Sequence, residues 1–282
     1  MNVLTIQALH FPFILAKNGL RGSIPEEIGY FSNLGTIMMT ESAITGTLPS
    51  SFAHLSHLAE LNLIACKLVG TIPDFLYNHT QLEYLLLDDN SFTGTIPPSL
   101  GTSLKLLAFW VMNNKLAGSI PASVGQSSVL RSVDLSGNSL TGTIPDFSLS
   151  SQMYHLLLAN NTLHGSIPSS IGNLDNLQAI SFEINQLTGY IGPVINALPR
   201  SLISLDVTYN LLSGTVPTTI GNLTNLEFLD LGSNDLSGTI PTELALLSNL
   251  ELLDLYSNGF TGTVPTSLAN LPLLSKSHRH SC

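Results

Sequence analysis

Residues 226–247 read LEFLDLGSNDLSGTIPTELALL, and the rest of the chain repeats the spacing found inside this stretch. Leu226, Leu229, Leu231 and Asn234 form the phrase L-x-x-L-x-L-x-x-N, and Leu236, Gly238, Ile240 and Pro241 continue it as L-x-G-x-I-P. Stepping outward from Asn234, the equivalent positions are Asn18, Ser42, Cys66, Asn90, Asn114, Asn138, Asn161, Asn185, Asn210 and Asn258. Every step is 24 residues except 23 between Asn138 and Asn161 and 25 between Asn185 and Asn210. Gly238 has a counterpart in every turn, and a proline follows three residues later everywhere except at Gly192. A period of this length describes a solenoid, in which each turn packs only on its neighbours.

Physical chemistry accounts for each recurring residue type. The L-x-L core alternates with period two, so it is a short strand with leucines on one side and the intervening residues on the other. Stacked turns place these strands in a parallel sheet, and the leucines fill a continuous interior. The chain then bends inward, exposing backbone donors and acceptors that an asparagine amide can satisfy. Glycine gives room to turn, and proline ends pairing where the chain leaves the core. Eleven strands about 4.8 Å apart predict a sheet on the order of 48 Å long.

The unit L-x-x-L-x-L-x-x-N-x-L-x-G-x-I-P-x-x-L, complete at residues 226–247 and nearly so at 82–104, resembles the plant-type leucine-rich-repeat family. The resemblance covers about nine tenths of the chain, residues 10–272. It implies an α/β solenoid, a right-handed superhelix of about eleven turns with a concave parallel sheet and convex 3₁₀ or short helices and loops. It also implies a non-catalytic module that binds a protein or peptide on the concave face. Such a module is the extracellular region of a receptor-like protein or receptor-like kinase, with a co-receptor as a further partner. The same repeat builds secreted inhibitors of cell-wall hydrolases, and some ice-binding proteins.

Residues 1–9 read as a degenerate amino-terminal segment and 273–282 as an uncapped tail. Met1 to Ala16 is apolar, but it lacks a basic leader and a small-x-small cleavage site. The family's cysteine-paired caps have no counterpart at either end. The expectation is therefore a portion of a longer protein, with any kinase domain, membrane anchor or signal peptide outside it.

Composition narrows the partners. The 282 residues carry 9 Lys plus Arg against 19 Asp plus Glu, a net charge of −10. That balance repels nucleic acid and anionic headgroups. No apolar run reaches the roughly 18 residues of a membrane-spanning helix, so direct membrane insertion is not expected. The two cysteines, Cys66 and Cys282, are too few for a disulfide framework, and Cys66 reads as a buried, inert thiol. None of the nucleophile-elbow, zinc-helix, P-loop or kinase signatures occurs, so no catalytic residue, metal or cofactor is expected. His278 and His280 pair only in the tail, where solvent exposure is the simpler reading.

The recognition surface is expected among the residues between the strand leucines. Four residues before each asparagine position, the column runs Ile14, Met38, Asn62, Leu86, Trp110, Asp134, Leu157, Ser181, Asp206, Asp230 and Asp254. Its first half is mostly apolar and its second half acidic. Tyr84, Met112 and Tyr154 in adjacent columns join Leu86, Trp110 and Leu157 in a candidate patch, since large apolar side chains on a solenoid face mark an interface. Asp206, Asp230 and Asp254 form a second candidate row, although "LDL" followed by Ser or Gly is ordinary wording for such repeats and a solvated face is the simpler reading of it. The asparagines are read as structural, their phase pointing into the bend.

Three N-x-S/T glycosylation acceptor sites occur, at Asn78, Asn160 and Asn222, and glycans are expected at Asn78 and Asn222 if the protein is secreted. Asn78 and Asn222 fall twelve residues after the asparagine position, on the convex side, and Asn160 falls nearer the concave face. Ice binding calls for a flat, regular row of Thr, Ser or Asn, which the "TGT" phrases supply on the convex side while the other columns stay irregular.

Overall fold

A computed structural model describes residues 11–147 and 149–273. The segment 1–9 and the histidine pair and Cys282 of the tail lie outside the described residues.

The leading structure is one eleven-stranded sheet whose strands follow chain order, from Phe11–Ile14 to Leu252–Asp254. All neighbours are parallel, and equivalent residues pair across turns, as in Leu61 with Leu85, Leu85 with Phe109 and Phe109 with Val133. Each of these four is fully buried, so the alternation seen in the sequence is the alternation of the pleat. The aliphatic side chains join a single continuous core from Ile24 to Leu271. Burying one leucine is worth roughly 1.5–3 kcal/mol, and no turn could collect that without a neighbour.

The strand carboxyl ends lead into a residue with positive φ in every turn, for example Asn113 at 52° and Gly137 at 64°. This left-handed step starts the inward bend, and the asparagine after it fastens the bend. Asn138 Nδ2 donates to Val111 O of the preceding turn at 3.0 Å and to Leu135 O and Ser136 O of its own at 3.0 and 3.1 Å. Its Oδ1 accepts from Leu116 N–H at 3.0 Å. Asn90, Asn114, Asn161, Asn185, Asn210, Asn234 and Asn258 repeat the same four bonds. Asn18 differs: it is exposed and bonds only to Leu15 O and Ala16 O, because no described turn precedes it to supply a partner. The two breaks in the row are partly mended, since Ser42 Oγ donates to Met39 O at 3.1 Å and Cys66 Sγ donates to the same carbonyl at 2.9 Å. Cys66 is buried and unpaired.

Beyond the asparagine, the L-x-G phrase forms a second set of strands, which divides into six strands from Arg21–Ser23 to Ser139–Thr141 and five from His164–Ser166 to Gly259–Thr261. The division falls at the 23-residue step, whose turn has no helix among the described residues. The 25-residue step puts its extra residue into the α-helix Ile191–Ala197, where most turns have a five-residue 3₁₀ helix such as Thr218–Asn222. Length variation is thus absorbed far from the main sheet, whose columns run unbroken past both irregular turns. The face of that sheet turned away from the core is the open face.

Candidate functional site

Trp110 ends the strand Ala108–Trp110 on the open face and is half-buried. Its indole Nε1–H donates to Ser132 Oγ of the next strand at 2.9 Å. The ring is therefore held in one orientation with part of its surface in solvent, a pre-organised apolar contact. Ser132 Oγ lies 3.5 Å from His155 Nδ1, and the Tyr154 and His155 rings meet edge to face at 4.6 Å. Tyr84 stands exposed one strand earlier, and Met112 and Leu157 are half-buried. Tyr84, Trp110, Met112 and Leu157 thus share this part of the face with some surface in solvent, and Tyr154 borders it.

Leu86 is a correction. Expected as part of an exposed patch, it is only 9% exposed, because Asn62 and Trp110 pair with it from the two neighbouring strands and cover it. It supports the tryptophan and contributes little surface of its own.

Asp134, Asp206, Asp230 and Asp254 use one carboxylate oxygen in the same way, accepting from the backbone N–H two residues on: Ser136, Thr208, Gly232 and Tyr256 at 2.9–3.1 Å. These short turns give the aspartates a structural role. Tyr209 and Tyr256 meet edge to face at 6.1 Å beside this row. Gly232 permits the pairing, since a β-carbon there would lie 2.2 Å from the Tyr256 ring.

Three further features of the face come from packing between turns and are not visible in any single repeat. Asp88 is buried, accepts from Met112 N–H at 2.7 Å, and burial pushes its carboxyl up to about 7 against that hydrogen bond. Burial likewise raises Asp134 and Glu183, and it lowers His155 against the pull of Asp134. The Asn62 side chain, 9% exposed, has a buried Oδ1 with no hydrogen-bond partner. The sequence signal for Asp88 is its place two residues before the asparagine position, where a carboxylate faces the next turn.

Ser132, His155 and Asp134 share an outline with a hydrolytic triad, but the geometry does not serve one. Ser132 is 1% exposed, its oxygen already accepts from Trp110, and its 3.5 Å approach to His155 is long for proton transfer. Among the described residues no group of three or more His, Cys, Asp or Glu is arranged to hold a metal ion. No helix among them is long and apolar enough to cross a membrane. Asn78 and Asn222 end 3₁₀ helices on the side away from the open face and are exposed, while Asn160 is exposed at the rim of the open face with φ 50°.

The Leucine Rich Repeat family model matches residues 81–103, 129–149, 152–174, 201–223, 225–247 and 249–271. The Arabidopsis receptor kinase HAESA, solved in complex with the peptide hormone IDA and the co-receptor SERK1, is 36% identical with a TM-score of 0.86 over 92% of this chain. The chain belongs to the plant-type leucine-rich-repeat family. It is also similar to PEPR1 of the PEPR1–AtPEP1 complex, at 33% identity and a TM-score of 0.88 over 92% of the chain. It covers 43% of the HAESA chain and 36% of the PEPR1 chain. A plant ice-binding protein is 28% identical with a TM-score of 0.76, the match covering 89% of this leucine-rich-repeat chain and 80% of that one. No curated protein sequence matches it.

Proposed function

We propose that this leucine-rich-repeat chain is a non-catalytic peptide-recognition module, part of the extracellular region of a receptor-like protein, with its ligand on the open face of the eleven-stranded sheet. The observation that carries the reading is Trp110, a large aromatic pinned by Ser132 in a fixed, partly solvated pose on a sheet with an otherwise separate core. HAESA, with its peptide hormone and co-receptor, supplies the parallel for partners of this chain. The burial of Ser132 argues against the one constellation that could suggest hydrolysis. Trp110→Ala is expected to weaken a peptide ligand by about 2 kcal/mol, roughly thirtyfold, with the fold retained by circular dichroism. Unaltered affinity for a ligand mapped to this face would remove the reading.

A second reading concerns the second set of strands. The position after the repeat glycine is Ser or Thr in every turn except at Tyr190, and all are exposed. The methyl groups of Thr47, Thr71, Thr95, Thr143, Thr215 and Thr239 sit 2.8–3.1 Å from where a β-carbon on the next turn's glycine would be. One side-chain pose is therefore repeated at strand spacing, about 4.8 Å, in runs such as Thr47, Thr71 and Thr95, with Tyr190 and the division of the strands interrupting the row. With the similarity to a plant ice-binding protein, this favours ice as a ligand of that face. Partition of the protein into a growing ice front, abolished by Thr71→Lys with Thr95→Lys, is the expected result, and exclusion of the wild type from ice refutes it.

A further inference from the structure

We infer that the peptide recognised by the open face is an extended basic one, whose Lys or Arg side chains lie along the aspartate column, an inference that rests on the peptide reading above.

The charge distribution across the face carries it. The side chains on the open face stand six, four and two residues before the asparagine position. Across all eleven turns these three columns contain no Lys or Arg, yet they hold Glu60 in the first, Asp134, Asp206, Asp230 and Asp254 in the second, and Asp88 and Glu183 in the third. The nearest basic residues stand on the borders: Lys17, paired with Glu41 at 3.3 Å, and exposed Arg131. Seven of the nineteen carboxylates thus stand in three columns that make up 33 of the 282 positions, about three times their even share.

A second observation is independent of the acidic residues. Asn62, in the same column as the aspartates, keeps a buried side-chain oxygen without a donor. Leaving such an acceptor unpaired costs free energy that a donor from a ligand would recover. The Asn62 oxygen would have to turn outward to meet such a donor, and a cationic side chain supplies only donors. Burial of carboxylates without a cation points the same way, since a ligand cation would offset the desolvation that Asp88, Asp134 and Glu183 incur.

Aromatic surface lies alongside. Phe228 borders the column on one side and Tyr256 on the other, both exposed, with Trp110 further along. Lys and Arg stems pack on such rings while their heads reach carboxylates. Asn62 to Asp254 spans eight strand intervals, about 38 Å, which an extended chain of about eleven residues bridges. Polar contacts at Asp206 and Asp254 would use the carboxylate oxygen not committed to the local turn.

The test is selection of a random twelve-residue peptide library on the full chain at moderate salt, followed by affinity measurements on variants. Asp206→Asn, Asp230→Asn and Asp254→Asn together keep the turn-forming oxygen and remove three charges. Glu27→Gln, Asp175→Asn and Asp235→Asn remove three exposed charges away from the open face. The expected result is enrichment in Lys or Arg, with affinity falling about tenfold or more on the first triple variant and little on the second. Equal losses on both would reduce the effect to net charge and overturn the inference. Binders that depend on Trp110 but show no basic enrichment would overturn it while leaving the peptide reading intact. Binders indifferent to both Trp110→Ala and the aspartate variant, or no binders at all, would sink both.

Discussion

Two columns four residues apart in every turn behave in opposite ways. At the bend, asparagine recurs in nine turns of eleven, and eight of those asparagines make the same four hydrogen bonds. On the open face, the column that holds Trp110 and Asp230 contains Ile, Met, Asn, Leu, Trp, Ser and Asp in no periodic order. Both columns recur once in every turn, one at the end of the strand and the other in the bend that follows it. The difference is what they face: backbone groups of the adjoining turns, which are identical in each repeat, or solvent and ligand, which are not. Uniformity therefore marks an internal constraint, and its absence marks the surface left free to vary.

The sharpest break of that comparison is Asn138→Ala. It orphans the Leu116 N–H and removes the donor that ties three carbonyls together across two turns. With unsatisfied buried groups costing roughly 1–3 kcal/mol each, a loss of about 3 kcal/mol or more in urea unfolding is expected. Asp230→Ala, on the open face, is expected to cost under about 1 kcal/mol, since it forfeits one exposed-side turn bond. Similar losses for the two would erase the distinction between the columns.

How much was legible in the sequence follows the same division. Leucines, asparagines, glycines and prolines answer to an interior that repeats, so strand phase, the core side and the asparagine bonding could be read from residues 226–247 alone. The 23- and 25-residue steps were equally plain, but not that one would coincide with a divided second sheet and the other become an α-helix. On the open face, the sequence placed Tyr84, Trp110, Met112, Tyr154 and Leu157 on one side. It did not show that Trp110 leans toward Ser132, that Leu86 is covered, or that Asp88 is buried. Each depends on a residue about 24 positions away, with no rule of spacing to announce it. Asn18 matched the pattern without the function of its counterparts, because a stack supplies partners only from a preceding turn.

Asp88 offers a test of intermediate size. Its pKa is raised from 3.8 to about 7, so the folded state binds a proton more tightly than the unfolded chain. The stability this contributes is fully present below about pH 4 and is lost as pH rises through about 7. Unfolding free energy should therefore decline between pH 4 and 7. Asp88→Asn, whose amide oxygen can still accept from Met112 N–H, should flatten the decline and leave the variant more stable than the parent at pH 8. A tenfold difference in proton affinity between the folded and unfolded states is worth about 1.4 kcal/mol, so the effect is expected to be about 1–3 kcal/mol after allowance for relaxation. A parent chain whose stability climbs over the same interval would contradict the burial assigned to this carboxylate.

The smallest effect concerns the one position per turn where both constraints meet. The residue before the asparagine position must adopt positive φ, and it stands at the rim of the open face. In several turns a residue tolerant of that backbone stands there, such as Asn113, Asn160 or Gly137, but Ile184 holds φ 55° with a branched β-carbon. A branched side chain is strained in this region by roughly 1–2 kcal/mol, and Ile184 recovers little of it by packing, being 49% exposed. Ile184→Asn is accordingly expected to stabilise the chain by about 1 kcal/mol in urea unfolding. The backbone alone would not select isoleucine, so a ligand contact at this rim is the role that the variant tests. The same variant should weaken a ligand that covers Tyr209 and Tyr256 beside it. A variant that is more stable and binds equally well would separate the two constraints and leave Ile184 without a role on the face.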